Sequence, residues 1–520
     1  MLRNSLAHLI ARIAVMGAGI AAIPLVTLTL GQEALGLVGL YATMQTMLGL
    51  FDLGLPVAVN HRLAVMIGRG RAPAAQAELV RTLEILFWIF VAVFFVAGFV
   101  LRGVLADHWL NFNDLSRTTV ISAFVMMTAA AAIRFPVAFY SNVLYAYGRH
   151  IFPNVVTASV AVLRIVASLV ALVEFDVGII GFFLIQLLGS ATEVALLAGG
   201  IWLRHPFGLA QPRWSVLYDI RALAGGLTLI SLTAVALSQI DKIVLSKLLS
   251  LGDFGLYSAG YAVAAGLVAL SYPVGNAVFP QLSRALDTGR ADIKRIIRAA
   301  TELTILIVIP IGCVVIMQAE PLLRLLFLVK PLPAALAIIL PLFMAGAIAQ
   351  SFVTLPHLYQ VAAKRAMTVV WINAGFLIPY GIGILVTTAK GGIFAAAAAF
   401  AVFNVARLLV HWALLTADRA ARSRWGDAIG LTLAASVAGP VLAAAPLAFE
   451  FQGAAAVVVA VLTVSALAFI AVLAMPHSRE RLSIVYRESC SPGEAGPKGK
   501  VRVGRRTRPN KAGSQNQNST

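Results

Sequence analysis

Charge is scarce in this 520-residue chain. Only 12% of its residues are Asp, Glu, Lys or Arg, and acids are the rarer kind, 22 against 40 cations. Hydrophobic residues make up 60% and the mean hydropathy is +0.90, whereas soluble domains hold roughly 45–50% apolar and about 25% charged residues. A soluble globule is excluded. Cysteine is nearly absent: Cys313 inside an apolar run and Cys490 near the end offer neither a disulfide framework nor metal-ligand spacing. His61, His150, His205 and His357 also lack partners at such spacing. A phosphate-cradling GxxxxGK[ST] loop and a serine-nucleophile motif are missing as well, so the sequence reads as a non-enzyme with no cofactor, metal or catalytic residue.

What is abundant is apolar sequence in runs of membrane length. Fourteen spans are predicted, at 7–30, 36–59, 82–101, 118–142, 152–173, 178–202, 222–246, 254–279, 299–319, 334–358, 367–388, 392–416, 428–447 and 454–475. Arg12 interrupts the first, which reads as a retained helix rather than a removed signal. Counted over the connections, 29 cations fall on one side and 5 on the other, the five being Arg102, Arg117, Arg324, Lys330 and Lys390. By the positive-inside bias, both termini are cytosolic.

An internal echo divides the chain. GLVGLYA at Gly36–Ala42 parallels GLYSAGYA at Gly255–Ala262, and each is followed by a proline, Pro56 or Pro273, and a basic run. Six spans fill the offset, an even number, so the halves have parallel topology. The predicted fold is an all-α polytopic membrane protein with two six-helix bundles, 1–210 and 211–417, around a central cavity. Accessory helices occupy 418–475, and a basic, unstructured cytosolic tail runs from 476 to 520. The tail's cations suit anionic lipid head groups, and nucleic acid is not expected as a partner.

Six cations lie inside spans: Arg12, Arg134, Arg164, Lys242, Lys247 and Arg407. Facing lipid, each would cost about 2.5–3.5 kcal/mol, so most must face water or a partner. At 100° per residue Ser231, Ser238 and Lys242 share a stripe on the seventh span, flanked by Gln239 and Asp241. Asn404 and Arg407 share a face of the twelfth. Arg134, Arg164, Lys242 and Arg407 are therefore the candidate substrate-binding cations, with Ser231, Ser238, Gln239, Asp241 and Asn404 as polar lining. Glu193 and Asp52 are the candidates for coupling to an ion. Guanidinium forks match phosphate oxygens, so the charges imply an anionic ligand and no more.

Asp241–Lys242, then LGDFGLYSAGYAVA at Leu251–Ala264, then a proline-containing helix closing on FPQLSRA at Phe279–Ala285, resembles the polysaccharide-repeat-unit (O-antigen and exopolysaccharide) flippases. These belong to the multidrug/oligosaccharidyl-lipid/polysaccharide superfamily. The resemblance implies a bacterial inner-membrane protein that flips a polyprenyl-diphosphate-linked oligosaccharide for polysaccharide biosynthesis by alternating access. It also implies membrane lipids, a polymerase and glycosyltransferases as partners, and a lipid-tail groove near the last two spans. The rival readings are an ion-coupled multidrug exporter on the same architecture and a membrane-embedded glycan polymerase or acyltransferase. A scaffold would not need six buried cations. Arg164→Ala or Lys242→Ala is expected to lower surface polysaccharide without changing protein abundance.

Overall fold

Proline and glycine decide where the long apolar runs break into separate helices. In the computed structural model, residues 17–433 are described except 18, 21–22, 53, 204–209, 290–292, 328–332 and 419–420, with backbone alone for 216–228. Arg12, the last predicted span, most of the one before it and the basic tail lie outside the described residues. Within them every regular element is a helix, and nine helices are long and apolar enough to cross a membrane.

The helices are α1 (Gln32–Leu48), α2 (Leu55–Gly68), α3 (Pro73–His108), α4 (Arg117–Arg134), α5 (Val137–Ala146), α6 (Ile151–Glu174), α7 (Ile179–Trp202), α8 (Ser215–Leu248), α9 (Leu251–Ala269), α10 (Tyr272–Thr288), α11 (Ile293–Met317), α12 (Ala319–Leu326), α13 (Ala334–Ala362) and α14 (Ala366–Ala417). Residues 23–30 and 421–433 are also helical. Three predicted single spans prove to be broken. The second divides into α1 and α2 around residues 49–54, the fourth into α4 and α5 at Pro136, and the eighth into α9 and α10 ahead of Pro273. Proline removes an intrahelical donor and clashes with the preceding turn, so each break follows from local chemistry.

α14 merges two predicted spans. Its 52 residues would extend about 78 Å, far beyond an apolar core of about 30 Å. Gly392, at φ 57 and ψ −144, turns the chain between them in a conformation that side chains with a Cβ avoid.

The outer faces stay apolar where no neighbour covers them. Val93, Val96 and Val100 on α3, Leu163 and Val166 on α6, and Ile378 and Ile382 on α14 are all exposed. So much bare hydrocarbon on nine spans identifies a multi-pass membrane protein.

How the cores divide is the main architectural fact. Near the cation-rich end, one cluster joins α2, α3, α5, α6 and α7 through Leu63, Phe87 and Phe139. A separate cluster there joins α10, α11, α13 and α14 through Leu282, Ile297 and Leu415. At the opposite end a single core unites both groups through Leu37, Phe124, Phe183, Phe254 and Phe343. The two helix groups therefore share one core at one end and have separate cores at the other, with α2 still packed on α8.

The echoed segments form the junction. α1 packs on α9, and a Cβ at Gly255 would stand 2.6 Å from the Gly36 nitrogen, while one at Gly36 would run into the Leu251 carbonyl. Only paired glycines let these backbones approach so closely. Loops fasten the same end. The Glu33 carboxylate accepts the backbone N–H groups of Asn113, Asp114 and Leu115 at 2.6, 3.0 and 2.8 Å. Leu251 N–H donates to the Asn111 carbonyl at 2.7 Å, Asn111 Nδ2 donates to the Lys247 carbonyl at 2.8 Å, and Trp109 Nε1 donates to Ser246 Oγ at 3.0 Å. Lys247, expected as a cation inside the bilayer, is instead exposed at this seam, with its ammonium on the His108 carbonyl.

Candidate functional site

Two cavities lie in the interior, divided by α8. Successive helical residues point 100° apart, so Asp241 and Lys242 begin on different faces of this wall. The first cavity, about 350 Å³, is lined by Tyr41, Gln45, Arg134, Arg164, Gln186 and Lys242 among others. The second, about 390 Å³, is lined by Ser238, Asp241, His357, Tyr380, Asn404 and Arg407 among others. Tyr261 lines both.

Three cations and, among the described lining residues, no carboxylate face the first cavity. Their acids stand behind them. Arg164 and Arg134 converge from α6 and the last turn of α4 on Glu193 of α7, which is 0% exposed. The Arg164 guanidinium bonds the carboxylate directly, and Arg134 Nε lies 3.7 Å away. Arg164 retains 7% of its side-chain exposure and Arg134 retains 29%, which makes Arg134 the more reachable cation. Its other hydrogen bond among the described residues is a long 3.5 Å approach to Gln45 Oε1. The position of Arg134 follows from the Pro136 break, since a cation suits the negative end of a helix dipole.

Lys242 is held tightly. Its ammonium stands 3.0 Å from both Asp241 oxygens, donates to the Ser238 carbonyl at 2.8 Å, and lies 3.2 Å from the Tyr261 ring centre. The Tyr257 hydroxyl donates to Asp241 at 2.7 Å. This buried ion pair and the Tyr261 ring form the partition between the cavities.

Arg407 stands apart from the other cations. It lines the second cavity, donates to Asn373 Oδ1 at 3.1 Å, and has no carboxylate at ion-pair distance among the described residues. Its Nε is buried without a hydrogen-bond partner among them, as is Arg164 Nε. A buried donor left unpaired costs about 1–3 kcal/mol; the Arg164 Nε packs on Gly189 of α7, where a Cβ would stand 2.6 Å from it.

The single shared vestibule expected from the sequence is thus replaced by two chambers. Arg134, Arg164, Lys242 and Gln239 border one, and Ser238, Asp241, Asn404 and Arg407 border the other. Two predicted members are absent from both linings. Ser231 shares the azimuth of Ser238, yet seven residues place it about 10 Å along the axis, beyond Ala234, where the α8 lining begins; it is exposed. Asp52 sits in the break between α1 and α2, where its carboxylate accepts the Gly54 N–H at 2.9 Å, a local turn bond favoured by aspartate. Sequence reasoning also passed over Tyr41, Tyr257 and Tyr261, whose polar tips or ring faces complete the site. It missed Glu84 too, buried and bonded by Tyr140, Trp202 and Arg81; this fully partnered group holds α3, α5 and α7 together.

Two apposed helix groups, joined at one end around an interior lined with cations, have the fold of the multidrug/oligosaccharidyl-lipid/polysaccharide transporter superfamily. An inward-facing multidrug resistance MATE family transporter of that superfamily superposes with a TM-score of 0.67 at 13% identity, over 81% of this chain and 99% of its own. The lipid II flippase MurJ, inward closed, gives 0.69 at 13% identity over 94% and 100%. An outward-facing MATE family transporter gives 0.54 at 15% identity over 82% and 96%. Proteins sharing the fold are thus transporters and flippases. A search of curated proteins finds none that matches by sequence. The profile of the family described as polysaccharide biosynthesis protein matches residues 1–286, and the chain belongs to that family.

Proposed function

We propose that the protein flips a polyprenyl-diphosphate-linked oligosaccharide across the bacterial inner membrane for polysaccharide biosynthesis, by alternating access between the bundles 1–210 and 211–417. The observation that carries this reading is the first cavity, where Arg134, Arg164 and Lys242 face the space and their acids stand behind. Such a wall offers several guanidinium and ammonium donors to a diphosphate, and charge-assisted bonds of this kind are the strong ones. Arg407, Asn404 and Ser238 in the second cavity are proposed to receive the glycan end of the cargo. Glu193 is the proposed coupling carboxylate, because protonating it would release Arg164 toward a ligand; Asp52 has no contact with either cavity that would support that role.

The closed seam at α1 and α9 supports an inward-facing state, given the cation-rich end as cytosolic. The cargo would enter between the parted cores, and flipping would require the glycine seam to open. Glycosyltransferases that supply the cargo and a polymerase that consumes it are the proposed partners.

The second reading, export of amphipathic cations, draws on Asp241 and the aromatic rings Tyr261, Tyr380, Phe400 and Phe403 around the second cavity. Proteoliposomes separate the two. Translocation of a lipid-linked oligosaccharide, lost in Arg134→Ala, supports the flippase. Ion-driven uptake of a cationic dye, with no movement of the lipid, would replace it with the exporter.

A further inference from the structure

The last carbonyls of α8 find their donor on the other half of the molecule. A helix leaves its final carbonyls without intrahelical partners. Here Asn111 Nδ2, from the loop 109–116 between α3 and α4, donates to the Lys247 carbonyl at 2.8 Å and to the Leu249 carbonyl at 3.3 Å. The Leu251 N–H returns a bond to the Asn111 carbonyl at 2.7 Å, and Asn111 and Ser250 pair as a short parallel bridge. The loop belongs to the half 1–210, whereas α8 and α9 belong to the half 211–417. We infer that this loop is a hook that holds the seam end closed, and that Asn111 is the residue by which it holds, an inference that rests on the alternating-access reading above.

The two attachments of the loop differ in kind. On its own half it is built to keep its shape. Glu33 accepts three consecutive backbone N–H groups, those of Asn113, Asp114 and Leu115. Arg117 clamps the two ends of the loop together through Asp107, with Nε and Nη2 donating to the two carboxylate oxygens at 2.6 and 2.7 Å. Ser116 caps α4 by accepting the Thr119 N–H at 3.1 Å, and Leu110 is buried in the shared core with Phe112 and Leu115 packed against it.

Across the seam the grip is made mostly of neutral bonds, those of Asn111 and that of Trp109 Nε1 on Ser246 Oγ at 3.0 Å. The one charged donor there is the Lys247 ammonium on the His108 carbonyl. Bonds to ionised groups and two-pronged pairs are the stronger kind, so as the halves separate the cross-seam bonds give way first and the loop stays formed. Asn111 and Lys247 are exposed, which lets water take over the released carbonyls. The hook is thus releasable and ready to engage again.

The test places spin labels at Val104→Cys on α3 and Leu325→Cys on α12, both exposed positions, in the full-length protein in nanodiscs on a background lacking Cys313 and Cys490. Asn111→Ala should raise the ratio of long-distance to short-distance populations about tenfold, the worth of two neutral hydrogen bonds. Asn111→Asp keeps the shape, lacks the donors and sets a carboxylate against two carbonyls, so it should open the end at least as far. Asn113→Ala, in the same loop but outside the cross-seam contacts, should leave the distribution unchanged. An oxidised Asn111→Cys/Ser250→Cys pair, joining bridged positions about 5 Å apart, should show the short distance alone and regain the long one on reduction. Populations unchanged in Asn111→Ala and Asn111→Asp, while Gly36→Ala adds the longer distance, would overturn the hook and leave alternating access intact. Equal opening in Asn113→Ala would overturn the role of Asn111 as well. One unvarying distance in every variant, Gly36→Ala included, would overturn the hook together with the alternating-access reading.

Discussion

Substituting Gly36 by alanine tests whether the seam between α1 and α9 is what closes one end of the molecule. The added methyl would collide with the Leu251 carbonyl, a backbone atom that cannot swing away. Overpacking of this kind costs about 1–3 kcal/mol, and the cost falls only on the state in which the two helices touch. The balance between closed and open seams should therefore move by about 5- to 150-fold. Spin labels at Asp114→Cys and Leu248→Cys, on a background lacking Cys313 and Cys490, would report the distance across the seam. Gly36→Ala should add a longer-distance population to that of the parent protein. Gly103→Ala, where a methyl meets nothing within 4 Å, should leave it unchanged. An unaltered distribution in a folded Gly36→Ala protein would refute the assignment of the seam as a gate.

Arg164→Ala should destabilise the protein by about 3–5 kcal/mol, since it strands buried Glu193; Arg164→Ala/Glu193→Ala should recover much of that loss in thermal unfolding. This revises the expectation that Arg164→Ala leaves abundance unchanged. Glu33→Gln should raise amide exchange at Asn113–Leu115 markedly, because charged acceptors contribute about 1.5–3 kcal/mol per bond. Gly189→Ala should displace Arg164, whose Cγ would lie 2.5 Å from the new methyl, and so weaken diphosphate binding while Glu193 stays buried.

Much of the arrangement was legible from residues alone because a bilayer punishes exceptions. That the described residues form membrane-length apolar helices followed from apolar length. The echo between Gly36–Ala42 and Gly255–Ala262 was read as a sign of repeated halves, and the close α1–α9 approach at those segments was not foreseen. The breaks at Pro136 and before Pro273 were written in the sequence but read through, because a span count tolerates a kinked helix.

The site was legible in kind and not in arrangement. Buried cations announce a wet interior, yet helical phase gives only azimuth, so Ser231 fell outside the lining by its height on the axis. That Asp241 and Lys242 would pair with each other and wall off two chambers depends on Tyr257 and Tyr261, contributed by α9. No spacing on α8 encodes that contact. Glu193 looked like a coupling carboxylate by burial alone; its guanidinium partners come from two other helices.

The most direct test of the cationic first cavity is calorimetric titration of farnesyl diphosphate into the full-length protein in nanodiscs. Binding to the interior is predicted, at least about tenfold weaker in Arg134→Ala and absent for uncharged farnesol. Equal affinity with and without Arg134, or farnesol binding as tightly as its diphosphate, would contradict it.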